Sequence, residues 1–196
     1  MKRKTDFKKL ASYLYEMGSL RKIARSHRQN LLTDDLSDNI ASHTFRVALI
    51  AYFLAKMEGV DSGKVVLMGL IHDSEESRCG DQNWIHKSYV KVFEEEIREG
   101  QLGGLPGSKE LIGCSEEYEK RESPEAIIAK DADLLDQILL LKEYTAMGNR
   151  EAESWLENNQ QEKRIRSDSG KILAKEIMRQ KPSDWWATLW NGDRRK

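Results

Sequence analysis

Apolar residues recur at intervals of three and four along most of the chain, which is the spacing of one face of an α-helix. The clearest stripe precedes Gly59 and contains Val47, Ile50, Ala51 and Leu54. Segments in which apolar and polar residues alternate, the pattern of half-buried strands, do not recur. The sequence therefore predicts an all-α fold, a single-domain bundle of about seven to nine helices without internal repeats.

Helix-capping residues and glycines divide the chain further. Ser123 followed by Pro124 is typical of a helix start, and that helix is expected to end near Gly148. The apolar run before His72 predicts a helix that continues to about Gly80. We expect residues 1–148 to form the core of the domain.

Residues 149–196 are expected to form a helical extension that packs on this core. Its last segment carries Trp185, Trp186 and Trp190. Aromatic residues with the spacing of Trp186 and Trp190 favour packing of a final helix onto the core, and a partner-binding patch is the alternative.

Charge composition argues against bulk binding to polyanions. The chain has 32 lysines and arginines against 33 aspartates and glutamates, for a net charge of −1. Such a balance favours neither a nucleic acid polymer nor an anionic membrane as a partner. The basic N-terminus is not followed by the apolar stretch of a signal peptide, and two cysteines are too few for a disulfide framework. A soluble, cytoplasmic protein is expected.

Several ionisable residues lie inside the most apolar helical segments. His43 lies at the start of the second long helix, His72 and Asp73 follow an apolar run, and Asp131 and Asp133 interrupt another. Burying such groups without partners costs several kcal/mol, so they are usually paired or bound to a metal ion. Two imidazoles and two carboxylates suit a divalent ion such as Mn, Co, Fe, Ni, Zn or Mg.

This order of residues, H…HD…D, resembles that of the HD-domain metal-dependent phosphohydrolases. The segments 71–81 and 130–133 are similar, more narrowly, to the signature of the 5′-deoxynucleotidases, and the similarity covers about residues 20–148. The resemblance implies one divalent metal ion, and its ligands are carried over as His43, His72, Asp73 and Asp133. Asp131 remains the alternative to Asp133.

The resemblance also implies roles for the neighbouring residues. Glu76 is expected to handle the proton of the attacking water or of the leaving oxygen, and Asp81 to lie near the leaving sugar oxygen. On one continuous helix, Glu76 would follow His72 by four residues and lie beside the metal without binding it. Either Arg25 or Arg28 would hold the substrate phosphate. The family's tryptophan next to that arginine is missing here.

Other HD enzymes fit the sequence less well. Ser77 stands where the guanosine tetraphosphate hydrolases have an aspartate, and only His86 follows the His-Asp pair, which favours one metal over two. His27 and His86 are expected to be surface or supporting residues.

The expected reaction is hydrolysis of nucleoside 5′-monophosphates to nucleoside and phosphate, in a homodimer that acts on a small-molecule nucleotide. The Trp-rich tail is one candidate for the dimer contact. The alternatives are a pyrophosphate or triphosphate hydrolase of the same superfamily and a non-catalytic helical interaction module.

Overall fold

The structure, a computed structural model, describes residues 6–158, 160–187 and 189. Within these ranges the chain forms thirteen α-helices and one 3₁₀ helix at Leu20–Lys22, and the single β-type contact is an isolated bridge between Ala24 and Asn39. The helices are α1 Phe7–Ser19, α2 His27–Asn30, α3 Ile40–Glu58, α4 Ser62–Ile71, α5 Glu76–Cys79, α6 Trp84–Tyr89, α7 Glu94–Leu102, α8 Ser108–Lys120, α9 Pro124–Ala146, α10 Arg150–Asn158, α11 Gln160–Arg164, α12 Asp168–Arg179 and α13 Asp184–Ala187.

The all-α fold is confirmed, but the number of helices exceeds the predicted seven to nine. Eight of the helices have nine residues or more, and five have four to six. Helices of one turn or little more are too short to show an apolar period, which is why the sequence pattern misses them. Among the described residues, no helix is long and apolar enough to cross a membrane.

The three helices α3, α4 and α9 form the centre of the molecule. Asn39 caps α3 in a capping box with Ser42, and Ser123 caps α9 just before Pro124. Each helix contributes fully buried side chains to one core, which include Val47, Ala51, Leu54, Val65, Met68, Ala129, Ala132 and Leu135. The site residues of all three helices are therefore held by one packed core.

A glycine allows α3 and α4 to approach each other beside the site. A Cβ atom placed on Gly69 would lie 3.4 Å from the Cα of Ala48 and 3.5 Å from a methyl carbon of Val47. A larger side chain at this position would push the two helices apart. Gly69 lies one turn before His72, which caps the end of α4, and Val47 lies one turn after His43, so this contact is next to both histidines.

The helix predicted to run to about Gly80 is interrupted, which corrects the expectation of one continuous helix. The structure ends α4 at Ile71 and begins α5 at Glu76. Between them, the backbone N–H groups of Ser74 and Glu76 bond three residues back, to Ile71 and Asp73. This tighter turn changes the direction of the chain, so Glu76 is not placed by the four-residue spacing of a regular α-helix.

The C-terminal helices α10, α11 and α12 all pack against α9. Ile165 and Ala174 are buried in the same core cluster as α3, α4 and α9. The domain boundary at residue 148 stays a prediction. Trp185 and Trp186 contact each other edge-on but remain 73% and 42% exposed, so neither is buried in the core; Trp190 lies outside the described residues.

Candidate metal centre and active-site cavity

Two histidines and two aspartates converge where α3, α4 and α9 meet. His43 Nε2 lies 3.2 Å from His72 Nε2, 3.3 Å from Asp73 Oδ2 and 3.4 Å from Asp133 Oδ1. His72 Nε2 lies 3.1 Å from the same Asp73 oxygen. The structure thus brings together the four residues that the sequence singles out as metal ligands.

The outer ring nitrogens of both histidines are occupied by hydrogen bonds. His72 Nδ1 donates to the carbonyl oxygen of Gly69 at 2.8 Å, and His43 Nδ1 donates to Asp136 Oδ2 at 2.6 Å. Both Nε2 atoms are thereby left for the cluster. Burial and the charge of Arg25 would lower the pKa of His43, but the carboxylates of Asp136 and Asp73 raise it to about 9, so this ring holds a proton that a divalent ion would replace.

The spacing of the donor atoms fits a divalent ion. Atoms held at about 2.1 Å from one ion lie about 3.0 Å apart at right angles and about 3.4 Å apart at the tetrahedral angle. The four distances measured here run from 3.1 to 3.4 Å. Hydrogen bonds from the outer nitrogens to a carboxylate and a carbonyl are also typical of metal-binding histidines. His43, His72, Asp73 and Asp133 could therefore hold the metal.

Asp133 is held in place by two further side chains. Lys130 bonds to its Oδ2 from one turn earlier on α9, and the Tyr118 hydroxyl donates to the same oxygen at 3.4 Å. Burial alone would raise the pKa of Asp133, but Lys130 and the two histidines of the cluster hold it well below its usual range. The Asp133 carboxylate is therefore ionised, as a ligand must be.

Asp131, the alternative ligand, lies on the other side of α9. Its buried carboxylate accepts from the backbone N–H groups of Arg166 and Ser167 and from the Ser167 hydroxyl at 2.6 to 3.2 Å. Residues two apart on a helix point about 200° apart, so Asp131 and Asp133 cannot face one ion together. Asp131 instead anchors the start of α12.

Glu76 and Asp81 lie beside the metal cluster on the wall of one cavity. Burial, followed by the negative charges of Asp73 and Asp81, raises the pKa of Glu76 well above its usual value. Its Oε2 is buried and has no hydrogen-bond partner among the described residues. A carboxyl group in this state can carry a proton at neutral pH and donate it.

Arg25 enters the same cavity and pairs with Asp81. The guanidinium Nε lies 3.4 Å from Asp81 Oδ2, which also accepts from the backbone N–H of Ser26 at 2.6 Å. Burial alone would lower the pKa of Arg25, but the surrounding carboxylates, Asp73 and Asp81 foremost, outweigh burial and raise this pKa above its usual value. Burial alone would raise the pKa of Asp81, and Arg25 lowers it instead. Both groups are charged.

The remaining residues predicted from the sequence divide into those that line the cavity and those that do not. Arg28 and His86 are not among the residues that line the cavity, whereas Arg25 and His27 are. His27 Nε2 lies 3.3 Å from the Arg25 guanidinium, so His27 supports the arginine as a neighbour rather than a metal ligand. Of the two arginines proposed for phosphate, only Arg25 is placed to contact a ligand in this cavity.

The cavity has a volume of about 700 Å³, which is enough for a small organic ligand. Its lining includes Glu76 and three residues of the metal cluster, His72, Asp73 and Asp133. It also includes further cationic side chains, and these are Lys87, Lys91, Arg121, Lys130 and Arg164. Because Arg164 and the nearby Trp155 come from α11 and α10, the C-terminal helices contribute directly to the cavity.

Several residues of the site are not predicted from the sequence. Asp136 binds both His43 and Arg46, and Trp84 and Trp155 line the cavity. Asp136 has a detectable signal, since it follows Asp133 by three residues and so shares its helix face. The two tryptophans have none, because their meeting depends on how distant helices pack.

Comparisons with known proteins agree with this site. The chain matches the family model described as HD domain over residues 17–173. The protein named 5′-deoxynucleotidase HDDC2 from Homo sapiens is 30% identical over 143 residues, which cover 69% of this chain and 68% of that protein. The protein of the same name from Dictyostelium discoideum is 29% identical over 124 residues, 56% of this chain and 64% of that protein. The chain thus spans slightly less than two thirds of the latter relative.

Solved structures share the fold. A predicted metal-dependent phosphohydrolase from Magnetospirillum magnetotacticum MS-1 superposes with a TM-score of 0.67 at 26% identity, covering 89% of this chain and 92% of that one. A conserved hypothetical protein from Pyrococcus furiosus has a TM-score of 0.71 at 25% identity, with 87% and 99% covered. The family resemblance inferred from the His-Asp pattern is confirmed. With a match across residues 17–173, the chain belongs to the HD domain family.

Proposed function

We propose that this protein is a divalent-metal-dependent phosphomonoesterase that hydrolyses nucleoside 5′-monophosphates to nucleoside and orthophosphate. The observation that carries the proposal is the convergence of the donor atoms of His43, His72 and Asp73 within 3.1 to 3.3 Å, with Asp133 Oδ1 3.4 Å from His43 Nε2, beside a cavity that is also lined by Arg25 and Glu76. The names of the relatives, 5′-deoxynucleotidase, favour the same substrate class.

In this proposal His43, His72, Asp73 and Asp133 hold the metal. When bound, a divalent ion supplies Lewis-acid chemistry, since it polarises a phosphoryl oxygen and makes water more acidic. The chain itself fixes the ligands: Asp136 and the Gly69 carbonyl orient the two imidazoles, and Lys130 orients Asp133.

Arg25 binds the phosphate. Its guanidinium donates charge-assisted hydrogen bonds, which suit a planar pair of phosphate oxygens. Asp81 keeps the guanidinium in place and lies next to Glu76, where the sugar end of the leaving group would emerge. Arg28 has no such position, so the phosphate role passes to Arg25 alone.

Glu76 transfers the proton. Its raised pKa lets the carboxyl hold a proton on an oxygen that has no partner among the described residues. Donation of this proton to the leaving sugar oxygen would avoid release of an alkoxide. Because α5 is separated from α4 by a tight turn, Glu76 approaches the cavity without being forced into the ligand cluster.

A second candidate is hydrolysis of a nucleoside triphosphate or of a pyrophosphate bond. The observation that favours it is the set of lysines and arginines on the cavity wall beyond Arg25, since additional phosphates need additional cations. A non-catalytic interaction module is less favoured. Burial of a complete ligand cluster is costly and has no benefit unless a cation is bound.

Product analysis separates these candidates. Purified protein is stripped with a chelator, reconstituted with individual divalent ions, and incubated with nucleoside mono- and triphosphates. We expect orthophosphate and nucleoside from the monophosphates, with His72→Ala as the inactive control. Release of pyrophosphate or triphosphate, with the monophosphates left intact, would favour the second candidate. Absence of any hydrolysis with every ion would favour the interaction module.

We also propose that the protein forms a homodimer. The support is an exposed apolar face on α3, formed by Phe45, Leu49, Tyr52, Phe53 and Met57, whose exposed fractions are 43 to 65%. Their spacing places them on one side of the helix, opposite the core. An apolar surface of this kind usually marks a contact with another protein, and the α3 face is a stronger candidate than the Trp-rich tail.

A further inference from the structure

Three aromatic rings meet on the wall of the cavity. Trp84 and Trp155 lie edge to face with ring centroids 4.7 Å apart, and His27 lies 5.4 Å from Trp155 and 6.4 Å from Trp84. The three residues come from α6, α10 and α2, and all three line the cavity. We call His27, Trp84 and Trp155 the aromatic wall.

The aromatic wall is only partly used in packing. Trp155 rests on a small core cluster that includes Leu31, Leu141 and Tyr144, whereas Trp84 is 50% exposed. An indole that faces a cavity leaves apolar surface in contact with water, which is unfavourable unless a ligand covers it. Flat aromatic side chains on the wall of a cavity of this size are typical of a site for a planar ligand.

His27 connects the aromatic wall to Arg25, the proposed phosphate ligand. Because a guanidinium can only donate, the contact of 3.3 Å from Arg25 makes His27 Nε2 the acceptor and places the ring proton on Nδ1. This Nδ1 is buried and has no hydrogen-bond partner among the described residues. Burial, and then the charge of Arg25, lowers the pKa of His27 to about 4, so the ring is neutral. The Nδ1–H group of His27 is therefore a hydrogen-bond donor without a partner among the described residues.

We propose that His27, Trp84 and Trp155 form the subsite for the nucleobase of the substrate. The inference rests on the proposed nucleotidase function and adds where the base is held. Contacts link the tryptophans to His27 and His27 to Arg25, so a nucleotide whose phosphate is held by Arg25 would place its base against the tryptophans. Since every base has an aromatic face, a stacking wall should accept all of them with little discrimination.

Kinetics with and without a base on the substrate test this subsite. The metal-reconstituted enzyme and its Trp155→Ala variant are compared on a deoxynucleoside 5′-monophosphate and on 2-deoxyribose 5-phosphate, which lacks the base. Loss of one stacking partner should raise KM for the nucleotide by about 5- to 150-fold. Turnover of the sugar phosphate should not change, and Trp155→Phe should restore most of the lost affinity.

Two controls separate a binding role from a structural one. Trp84→Ala should show the same selective loss, and its exposed side chain makes misfolding less of a concern. Trp185→Ala removes a 73% exposed tryptophan that does not line this cavity and should leave both substrates unaffected. Equal losses on nucleotide and sugar phosphate in both cavity variants, or no loss on either substrate, would overturn the subsite.

Calorimetric titration of the same proteins with the nucleotide, carried out after the metal has been removed so that no hydrolysis occurs, distinguishes failure of the function from failure of the subsite. If the enzyme hydrolyses neither substrate but Trp155→Ala weakens nucleotide binding, the nucleotidase function is wrong and the base subsite stands. If nucleotides are hydrolysed and Trp155→Ala binds them as tightly as the unaltered protein, the function stands and the subsite is wrong.

Discussion

Asp136 acts on the metal cluster through other side chains rather than from the cavity itself. One carboxylate oxygen accepts from His43 Nδ1 at 2.6 Å, and the other accepts from Arg46. Burial alone would raise the pKa of Asp136, but His43 and then Arg46 lower it, so the carboxylate is charged. A charged acceptor fixes the ring orientation of His43 and makes its Nε2 a stronger ligand.

Replacing Asp136 with asparagine should therefore weaken metal binding. We expect the affinity for a divalent ion to fall by about 10- to 100-fold in Asp136→Asn, while helix content stays unchanged. Competition with a chromophoric chelator measures this change. Glu143→Gln is the matched control, because Glu143 contacts Arg46 from the other end and does not touch His43. An affinity in Asp136→Asn equal to that of the unaltered protein would show that His43 is positioned without Asp136.

Residue types in the sequence predict most of the metal cluster but leave its alternatives open. The family resemblance favours Asp133, but residue types alone leave Asp131 as the alternative until the packing of α9 is known. The structure places Lys130 and Asp136 near Asp133, one turn to either side, and directs Asp131 towards α12. Trp155 lies beyond residues 20–148, where the sequence motifs resemble the family, although the family model extends to residue 173, so its place in the cavity depends on tertiary packing.

At the scale of elements, the break between α4 and α5 is the feature that sequence periodicity misses. The run 65–71 is apolar, and the following residues are polar but not glycine or proline, so nothing in the pattern marks a helix end. Part of the reason that α4 ends here is the His72 side chain, whose Nδ1 donates a hydrogen bond to the carbonyl oxygen of Gly69. That carbonyl would otherwise accept from the backbone four residues later.

Glu16 on α1 fixes the position of α5 and α7. Its carboxylate accepts from Arg78 at 2.6 and 2.9 Å, from Ser77 at 2.9 Å and from Gln101 at 2.7 Å. The hydrogen bond from Arg78 is the largest influence, and the pKa of Glu16 falls to about 2. Since Ser77 directly follows Glu76, this network also supports the helix that carries the proposed proton donor.

The lowered pKa predicts a pH dependence of stability. A carboxyl group whose pKa is depressed by folding stabilises the protein above its unfolded pKa, and this contribution disappears as the pH falls through the folded pKa. Glu16→Gln should therefore be less stable than the unaltered protein by about 1 to 2 kcal/mol at pH 6. The difference should shrink between about pH 4.5 and pH 2.

Urea unfolding at several pH values measures this difference. Glu95→Gln, an exposed glutamate at the start of α7, is the control and should show no such trend. A stability difference for Glu16→Gln that stays constant from pH 6 to pH 3 would argue that the carboxylate has an ordinary pKa and that the network adds no charge-dependent stability.

At the scale of the whole molecule, the α3 face predicts association of two chains. Introducing a charge at Phe53, which is 58% exposed, should destabilise an apolar contact without affecting the core. We expect light scattering during size exclusion to show a dimer for the unaltered protein and a monomer for Phe53→Glu. Tyr15→Glu on α1, where the side chain is 84% exposed, is the control and should remain dimeric.

The all-α class and the family are predictable from the whole sequence because apolar periodicity and the His-Asp pattern are both encoded locally. The cavity is not, since its walls combine α2, α6, α10 and α11 with the central helices. The net charge of the chain is only −1, which suggests a single cationic side chain for phosphate. The structure nevertheless places several lysine and arginine side chains in the lining of this cavity. Local charge in a folded site therefore cannot be inferred from the total.

The most direct test of the account measures metal content and kcat on the same preparations of three proteins, using a nucleoside 5′-monophosphate. The unaltered protein should hold one ion per chain and turn over. His72→Ala should lose both the ion and the activity, whereas Glu76→Gln should keep the ion and lose about 10²- to 10⁴-fold in kcat. Glu75→Gln serves as the neighbouring control and should keep both. Equal metal content in His72→Ala and the unaltered protein, or near-normal turnover by Glu76→Gln, would contradict the account.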